Sequence, residues 1–292
     1  MTPVPRTLPD AVPEWLPELP EFADHTIQGK ATMPAALLLD LLVKAASESP
    51  HAHASASLTG PVVMRDAVFS RFLPVDEIAQ CTFEIAYQDL ATEGQPGAMR
   101  ATLTSRIALA GEIHRTRTHA AVTLGGQATT VLLPQLTADF VLSAERAYRE
   151  LIRFGPRYRN LHGAIQLGPQ GGMAWVRSPE PAFMNPSRAG CPFLFDSALQ
   201  LACLWGQRYA GVVAFPTGFS ERVTSSPTAH GHRHCVVAPK AITPRKLFFD
   251  LWLTDENHAI CDAITGLSMT PLASAPKPPD WIVHPHPSHH SP

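Results

Sequence analysis

Two stretches of the chain are apolar on every side at helical spacing. Residues 35–46 read Ala-Ala-Leu-Leu-Leu-Asp-Leu-Leu-Val-Lys-Ala-Ala, broken only by Asp40 and Lys44. Residues 193–205 read Phe-Leu-Phe-Asp-Ser-Ala-Leu-Gln-Leu-Ala-Cys-Leu-Trp. A helix apolar all round belongs in the interior of a globular protein, not on its surface. Pro34 and Pro192 stand directly before the two stretches, where a first helical turn needs no backbone N–H. Around each helix the period changes to two. Alternating or β-rich runs at 61–74, 77–90, 99–110 and 112–124 follow the first helix. Runs at 222–225, 232–238, 246–254 and 259–270 follow the second. They predict long antiparallel strands, with turns at 93–97 and 110–111. Two more short strands are expected at 163–167 and 172–177, and a short helix at 143–151 with Ser143 as its N-cap. The plan of a buried helix followed by antiparallel strands therefore occurs twice, an α+β arrangement.

The organisation that follows has four parts. Residues 1–22, rich in proline, are expected to form an extended arm that packs through Trp15, Leu16, Leu19 and Phe22. Residues 23–128 carry the first helix and its strands, and residues 129–272 the second. Residues 273–292, dominated by Pro, His and Ser, are expected to be a disordered tail.

Polar residues in an apolar setting carry the chemistry. Asp196 and Gln200 are four apart, so they share one face of the second helix. Burial makes a carboxylate costly and raises its pKa, which turns Asp196 into a proton donor near neutral pH. Gln200 is placed to hydrogen-bond and orient it. His25 lies in a polar turn just before the first helix and supplies a base. A base beside a buried acid suits elimination of water from a 3-hydroxyacyl thioester. The base takes the proton next to the carbonyl and the acid protonates the departing hydroxyl, while backbone N–H groups at a helix start stabilise the thioester oxygen. This chemistry needs no cofactor and no metal.

Four motifs resemble those of the dehydratase domains of polyketide synthases and related fatty acid synthases. The first is His25-x-x-x-Gly29-x-x-x-x-Pro34 leading into the buried helix. Phe154-Gly155-Pro156-Arg157-Tyr158 is similar to the family's Tyr-Gly-Pro-x-Phe. Asp196-Ser197-Ala198-Leu199-Gln200, after Cys191-Pro192-Phe193-Leu194-Phe195, is similar to its Asp-x-x-x-Gln motif. Phe215-Pro216-Thr217-Gly218-Phe219 resembles its Leu-Pro motif. The resemblance implies a double hotdog, in which two antiparallel curved sheets each wrap a buried central helix. It implies one active site shared by His25, Asp196 and Gln200, with Gly29, Pro34, Gly155, Pro156 and Tyr158 at the substrate. It also implies an acyl carrier protein as partner, its phosphopantetheine arm holding the substrate, and a homodimer. Three positions depart from the family pattern: Cys191 replaces a histidine, Phe154 a tyrosine and Arg159 a glutamine. Gly29 and Pro34 also have a purely conformational reading, as a turn glycine and a helix-starting proline.

Composition narrows the alternatives. The net charge of −2 over 292 residues argues against a dedicated nucleic-acid binder. No apolar run reaches the length of a membrane span, and the first residues lack a signal-peptide pattern, so a cytoplasmic protein is expected. The five cysteines are scattered without a CxxC pair, as in a reduced protein. His284, His286, His289 and His290 could bind a metal adventitiously, but their setting reads as a disordered tail. The same site would also serve an enoyl thioester isomerase or a hydratase. A thioesterase or a non-catalytic module that binds acyl carriers would share the fold without this reaction.

Overall fold

The computed structural model describes residues 21–48, 61–78, 81–90, 98–108, 114–179, 188–225 and 231–284. The chain enters through a short helix, α1 (Glu21–Asp24), and a tight hairpin, β1 (Thr26–Ile27) and β2 (Lys30–Met33). Gly29 turns this hairpin at φ +77°, a conformation open to glycine at little cost. The first apolar helix, α2 (Ala35–Glu48), follows at once. Next come β3 (Val62–Phe69), β4 (Leu73–Pro74), a one-turn helix α3 (Val75–Ile78), β5 (Thr82–Asp89), β6 (Met99–Ala108) and β7 (His114–Leu124).

The second half opens with β8 (Phe140–Ser143) and α4 (Ala144–Glu150). Ser143 caps α4 as expected, its hydroxyl accepting from the Arg146 N–H. A 3₁₀ turn (Pro156–Tyr158), β9 (Leu161–Gly168) and β10 (Gly171–Arg177) lead to the second apolar helix, α5 (Pro192–Tyr209). The strands β11 (Ala214–Thr224), β12 (His232–Ile242), β13 (Leu247–Thr254) and β14 (Ile260–Pro271) complete the fold.

Two hotdogs result, and they share one sheet. Eleven antiparallel strands run in the order β5-β6-β7-β3-β11-β14-β13-β12-β10-β9-β8. The α2 helix packs on β5, β6 and β7, and α5 packs on β9 to β13. The seam is the pairing of β3 with β11, from Gly218 opposite Val68 to Thr224 opposite Val62. The two helices also touch each other, and a single hydrophobic cluster includes Leu39, Leu42, Phe195 and Leu204. Each helix buries side chains on several faces, which explains why both are apolar nearly all round.

A second tie crosses between the halves at α1. The Asp24 carbonyl accepts the Gly155 N–H at 2.7 Å, and its carboxylate accepts the Arg157 N–H at 3.0 Å. Gly155 has to be glycine for this approach, because a Cβ there would overlap the Asp24 carboxyl group.

Two expectations change, the strand from 222 and the tail from 273, and a third lies mostly outside the described residues. The strand expected from 222 begins at Ala214, so the Phe215–Phe219 motif lies inside β11. Pro216 is tolerated there because β3 pairs only from Gly218 onward, and a bulge falls between Pro216 and Gly218. The arm expected over 1–22 lies outside the described residues except for its end, where Phe22 is part of α1 and fully buried. The tail expected to be disordered from 273 instead packs on the body through 284. Ile282 is completely buried, and the Arg146 guanidinium lies 3.6 Å from the Trp281 ring centre. Two large apolar side chains outweigh the proline-rich composition around them. Both turns expected at 93–97 and 110–111 and the tail beyond 284 fall outside the described residues.

Under the sheet lies a buried ion pair. Arg222 on β11 donates from Nε to Asp262 Oδ1 at 3.0 Å and from Nη2 to Oδ2 at 2.5 Å, and its guanidinium carbon sits 4.1 Å from the Phe195 ring centre. Both residues are nearly inaccessible, so removing one strands the other without water. Arg222→Met is expected to destabilise the fold by about 3–5 kcal/mol, read as a lowered urea midpoint with an unchanged slope.

Candidate active site

His25 is fixed by the hairpin that follows it. Its backbone carbonyl accepts the Thr32 N–H at 2.9 Å, and its ring Nδ1 lies 2.7 Å from the Thr32 carbonyl oxygen. A carbonyl only accepts, so Nδ1 carries the proton and Nε2 of the neutral ring presents a lone pair. The ring is held from the side by Phe154, 4.5 Å between centroids, and by Tyr158, 5.0 Å. These aromatic walls exclude water.

Asp196 reaches the same spot from the first turns of α5. Its Oδ1 is 3.8 Å from His25 Nε2, and both side chains are almost completely buried. The carboxyl group is oriented by Gln200 one turn later. Gln200 Nε2 donates to Asp196 Oδ2 at 2.7 Å and to the Tyr158 carbonyl at 2.9 Å. Gln200 Oε1 accepts from the Tyr148 hydroxyl at 2.8 Å, and that hydroxyl accepts the Leu161 N–H at 2.8 Å. The chain of bonds settles which end of the amide faces Asp196. With Oδ2 occupied, the carboxyl proton belongs on Oδ1, the oxygen that faces His25.

Burial acts on the two groups in opposite directions. It lowers the pKa of His25, against the attraction of Asp196, and keeps the ring neutral. It raises the pKa of Asp196, against the pull of His25 and the Gln200 hydrogen bond, and so favours the neutral acid. A neutral base and a neutral acid side by side form a pair poised to take one proton and give another.

His25, Asp196 and Gln200 all line a cavity of about 800 Å³. Its wall is largely apolar, with Met33 and Leu38 from the first half and Leu199 and Met269 from the second. Gly29 lines it too. Pro34, Gly155, Pro156 and Tyr158 are not among the residues that line it. Tyr158 is buried between His25 and Phe193, 5.2 Å from the latter ring, and supplies its carbonyl to Gln200. Gly155 meets Asp24 instead, and Pro34 opens α2, where its carbonyl accepts from Leu37 and Leu38. Cys191, just before α5, is buried, and its thiol is pushed up in pKa.

Several supporting residues are not singled out by the sequence. Tyr148 sits on the inner side of α4, where it reads as an ordinary core tyrosine. Thr32 acts through its backbone alone. Asp24 directly precedes His25, and only the fold shows that it clamps the opposite half. Among the described residues no cluster of three His, Cys, Asp or Glu side chains has metal-site geometry. None of their helices is long and apolar enough to cross a membrane.

Comparison with known proteins places this geometry. No curated protein sequence matches the chain. Solved structures match it closely in shape at low identity. The dehydratase domain of RzxB from Pseudomonas fluorescens superposes with a TM-score of 0.68 at 20% identity, over 86% of this chain and 90% of that one. The dehydratase domain from the CurJ module of the curacin polyketide synthase gives 0.68 at 17%, over 87% and 88%. The dehydratase domain of PpsC from Mycobacterium tuberculosis, in complex with C12:1-CoA, gives 0.65 at 19%, over 88% and 91%. These likenesses establish the double-hotdog fold. A family model described as the polyketide synthase dehydratase N-terminal domain matches residues 128–279, a span that holds Asp196 and Gln200 but not His25. That match covers just over half of the 292 residues, and the chain belongs to the polyketide synthase dehydratase family.

Proposed function

We propose that the protein removes water from 3-hydroxyacyl thioesters carried on an acyl carrier protein, giving 2-enoyl thioesters. The observation that carries this reading is the pairing of His25 Nε2 with Asp196 Oδ1 at 3.8 Å on the wall of a largely apolar cavity. His25 Nε2 takes the proton from the carbon next to the thioester carbonyl. The electron pair left behind forms the new double bond as the C–O bond at the third carbon breaks. Asp196 gives its Oδ1 proton to the departing hydroxyl, which leaves as water. The reaction ends with a protonated His25 and an ionised Asp196. Their short separation lets the proton return and restores both groups for the next turnover.

Gln200 positions the acid and holds no substrate in this scheme. Both of its N–H bonds and its carbonyl oxygen are committed to Asp196, Tyr158 and Tyr148. The hairpin of β1 and β2 positions the base. The cavity rim carries the exposed cations Arg71, Arg153 and Lys277, which suit the phosphate of a phosphopantetheine arm.

The test uses 3-hydroxyacyl thioesters on a carrier protein, with intact mass as readout. The wild type is expected to convert substrate to a product lighter by one water. His25→Ala and Asp196→Asn are each expected to lower the rate by about a hundred- to ten-thousandfold, the range for removing one general acid or base. Unchanged substrate mass with the wild type, despite binding of the loaded carrier, contradicts the proposal.

The pH profile of kcat/KM is expected to be bell-shaped. As pH falls, His25 takes up a proton and stops acting as a base. Burial lowers its pKa, so this limb lies below the ordinary imidazole range. As pH rises, Asp196 loses the proton it must donate. Burial raises its pKa, so that limb lies above the ordinary carboxylate range. The two midpoints belong to the coupled pair rather than to either residue alone. A profile flat across the imidazole range and well below it contradicts the assignment.

A further inference from the structure

The proline-rich segment 272–284 does not leave the molecule at the end of β14. Leu272 donates its N–H to the Val213 carbonyl at 3.0 Å. Ser274 is hydrogen-bonded by Gln28, in the turn of the hairpin that holds His25. The far end is fastened to the last turn of α5. Arg208 Nη1 donates to the Ile282 carbonyl at 3.1 Å, and the Arg208 carbonyl accepts the His284 N–H at 2.7 Å. The His284 ring stacks on Tyr209, 5.5 Å between centroids, while Trp281 lies under Arg146. Between these anchors, Leu272, Ala275 and the run of residues 276–279 line the cavity. The segment therefore spans from the catalytic hairpin to the end of α5 and closes the space between them.

The α5 helix sets the length of that space. Asp196, Gln200, Cys203 and Gln207 recur at intervals of four, three and four, which is one helical face, and all four line the cavity. At a rise of 1.5 Å per residue, the face from Asp196 to Gln207 extends about 16 Å. An extended chain advances about 1.2 Å per bond, so this face accommodates about thirteen bonds. Between the two ends the facing side chains are mostly apolar, which suits hydrocarbon.

We infer that the segment 272–284 is a strap that forms one wall of an acyl-chain channel along α5 and selects the length of chain the site accepts, a linear chain of about twelve to fourteen carbons fitting best. The inference rests on reading the cavity as the site of an acyl thioester. The strap acts through shape. Ala275 presents only a methyl group to the channel, and prolines at 276, 278 and 279 hold the backbone extended without demanding N–H partners. Its anchors Trp281 and Ile282 lie outside the reacting groups, so the strap can be altered without touching His25 or Asp196.

The experiment measures binding by calorimetry, using the full chain and pantetheine amides of saturated four-, eight- and twelve-carbon acids, which cannot react. Wild-type affinity is expected to rise with chain length from four to eight carbons. Ala275→Trp fills the channel and is expected to weaken binding of the twelve-carbon amide about tenfold or more, with the four-carbon amide unchanged. The double substitution Trp281→Ala with Ile282→Ser releases the strap, and is expected to lose the gain in affinity with chain length while keeping the four-carbon value. It serves as the reading if the bulky residue prevents folding. Length dependence identical to wild type in a folded variant overturns the inference. Because the amides need no turnover, the two readings fail separately. Water loss by the wild type with no effect of the strap variants sinks the strap alone. Altered length dependence without any water loss sinks the dehydratase reading alone.

Discussion

Two ionisable side chains held out of water, 3.8 Å apart, are the constraint around which the rest of the structure is arranged. Neither His25 nor Asp196 is tolerable in an apolar interior unless it is neutral or its charge is compensated. Burial shifts both toward their neutral forms, and both are locked by hydrogen bonds at the atom that does not react. The Thr32 carbonyl fixes Nδ1 of the histidine, and Gln200 fixes Oδ2 of the aspartate. The remaining nitrogen and oxygen face each other across the cavity. Preorganisation of this kind places the reacting atoms before substrate arrives.

The pair also depends on how the two hotdogs meet. His25 belongs to the first half and Asp196 to the second, so their distance is set by the interface rather than by either half. The continuous sheet through β3 and β11 and the contact of α2 with α5 set the coarse position. The Asp24 clamp on Gly155 and Arg157 sets the fine one. It links the residue before His25 to the loop whose flanking residues, Phe154 and Tyr158, wall the imidazole. The buried Arg222–Asp262 pair adds a further restraint, with the guanidinium against Phe195, the immediate neighbour of Asp196.

The amino-acid sequence made the two central helices legible because each is apolar all round and preceded by proline, a pattern that surface helices do not show. It also exposed Asp196 and Gln200, since polar residues on such a helix stand out. Pro216 and Gly218 hid the first part of β11, because they read as a turn, and only the edge-like geometry at that point shows how a strand accepts them. Tyr148 was hidden for the opposite reason: a tyrosine on the apolar side of a short helix looks like core, and its hydroxyl bond to Gln200 is a matter of three-dimensional placement. Pro34, Gly155, Pro156 and Tyr158 belong to recognisable motifs, yet they lie outside the cavity lining. Motif membership reports proximity to a site and does not separate contact from support. The segment after 272 misleads by composition, since Trp281 and Ile282 fasten it to the body despite its prolines.

The division of labour between base and acid is the centre of this account. It is tested most directly by following exchange of deuterium with solvent from the carbon next to the carbonyl of a saturated acyl thioester that lacks the 3-hydroxyl. Such a compound offers a proton to the base but no leaving group to the acid. Asp196→Asn is predicted to keep the exchange and His25→Ala to lose it. Exchange that survives loss of the imidazole would contradict the assignment of His25 as the base, and with it the reading of the pair.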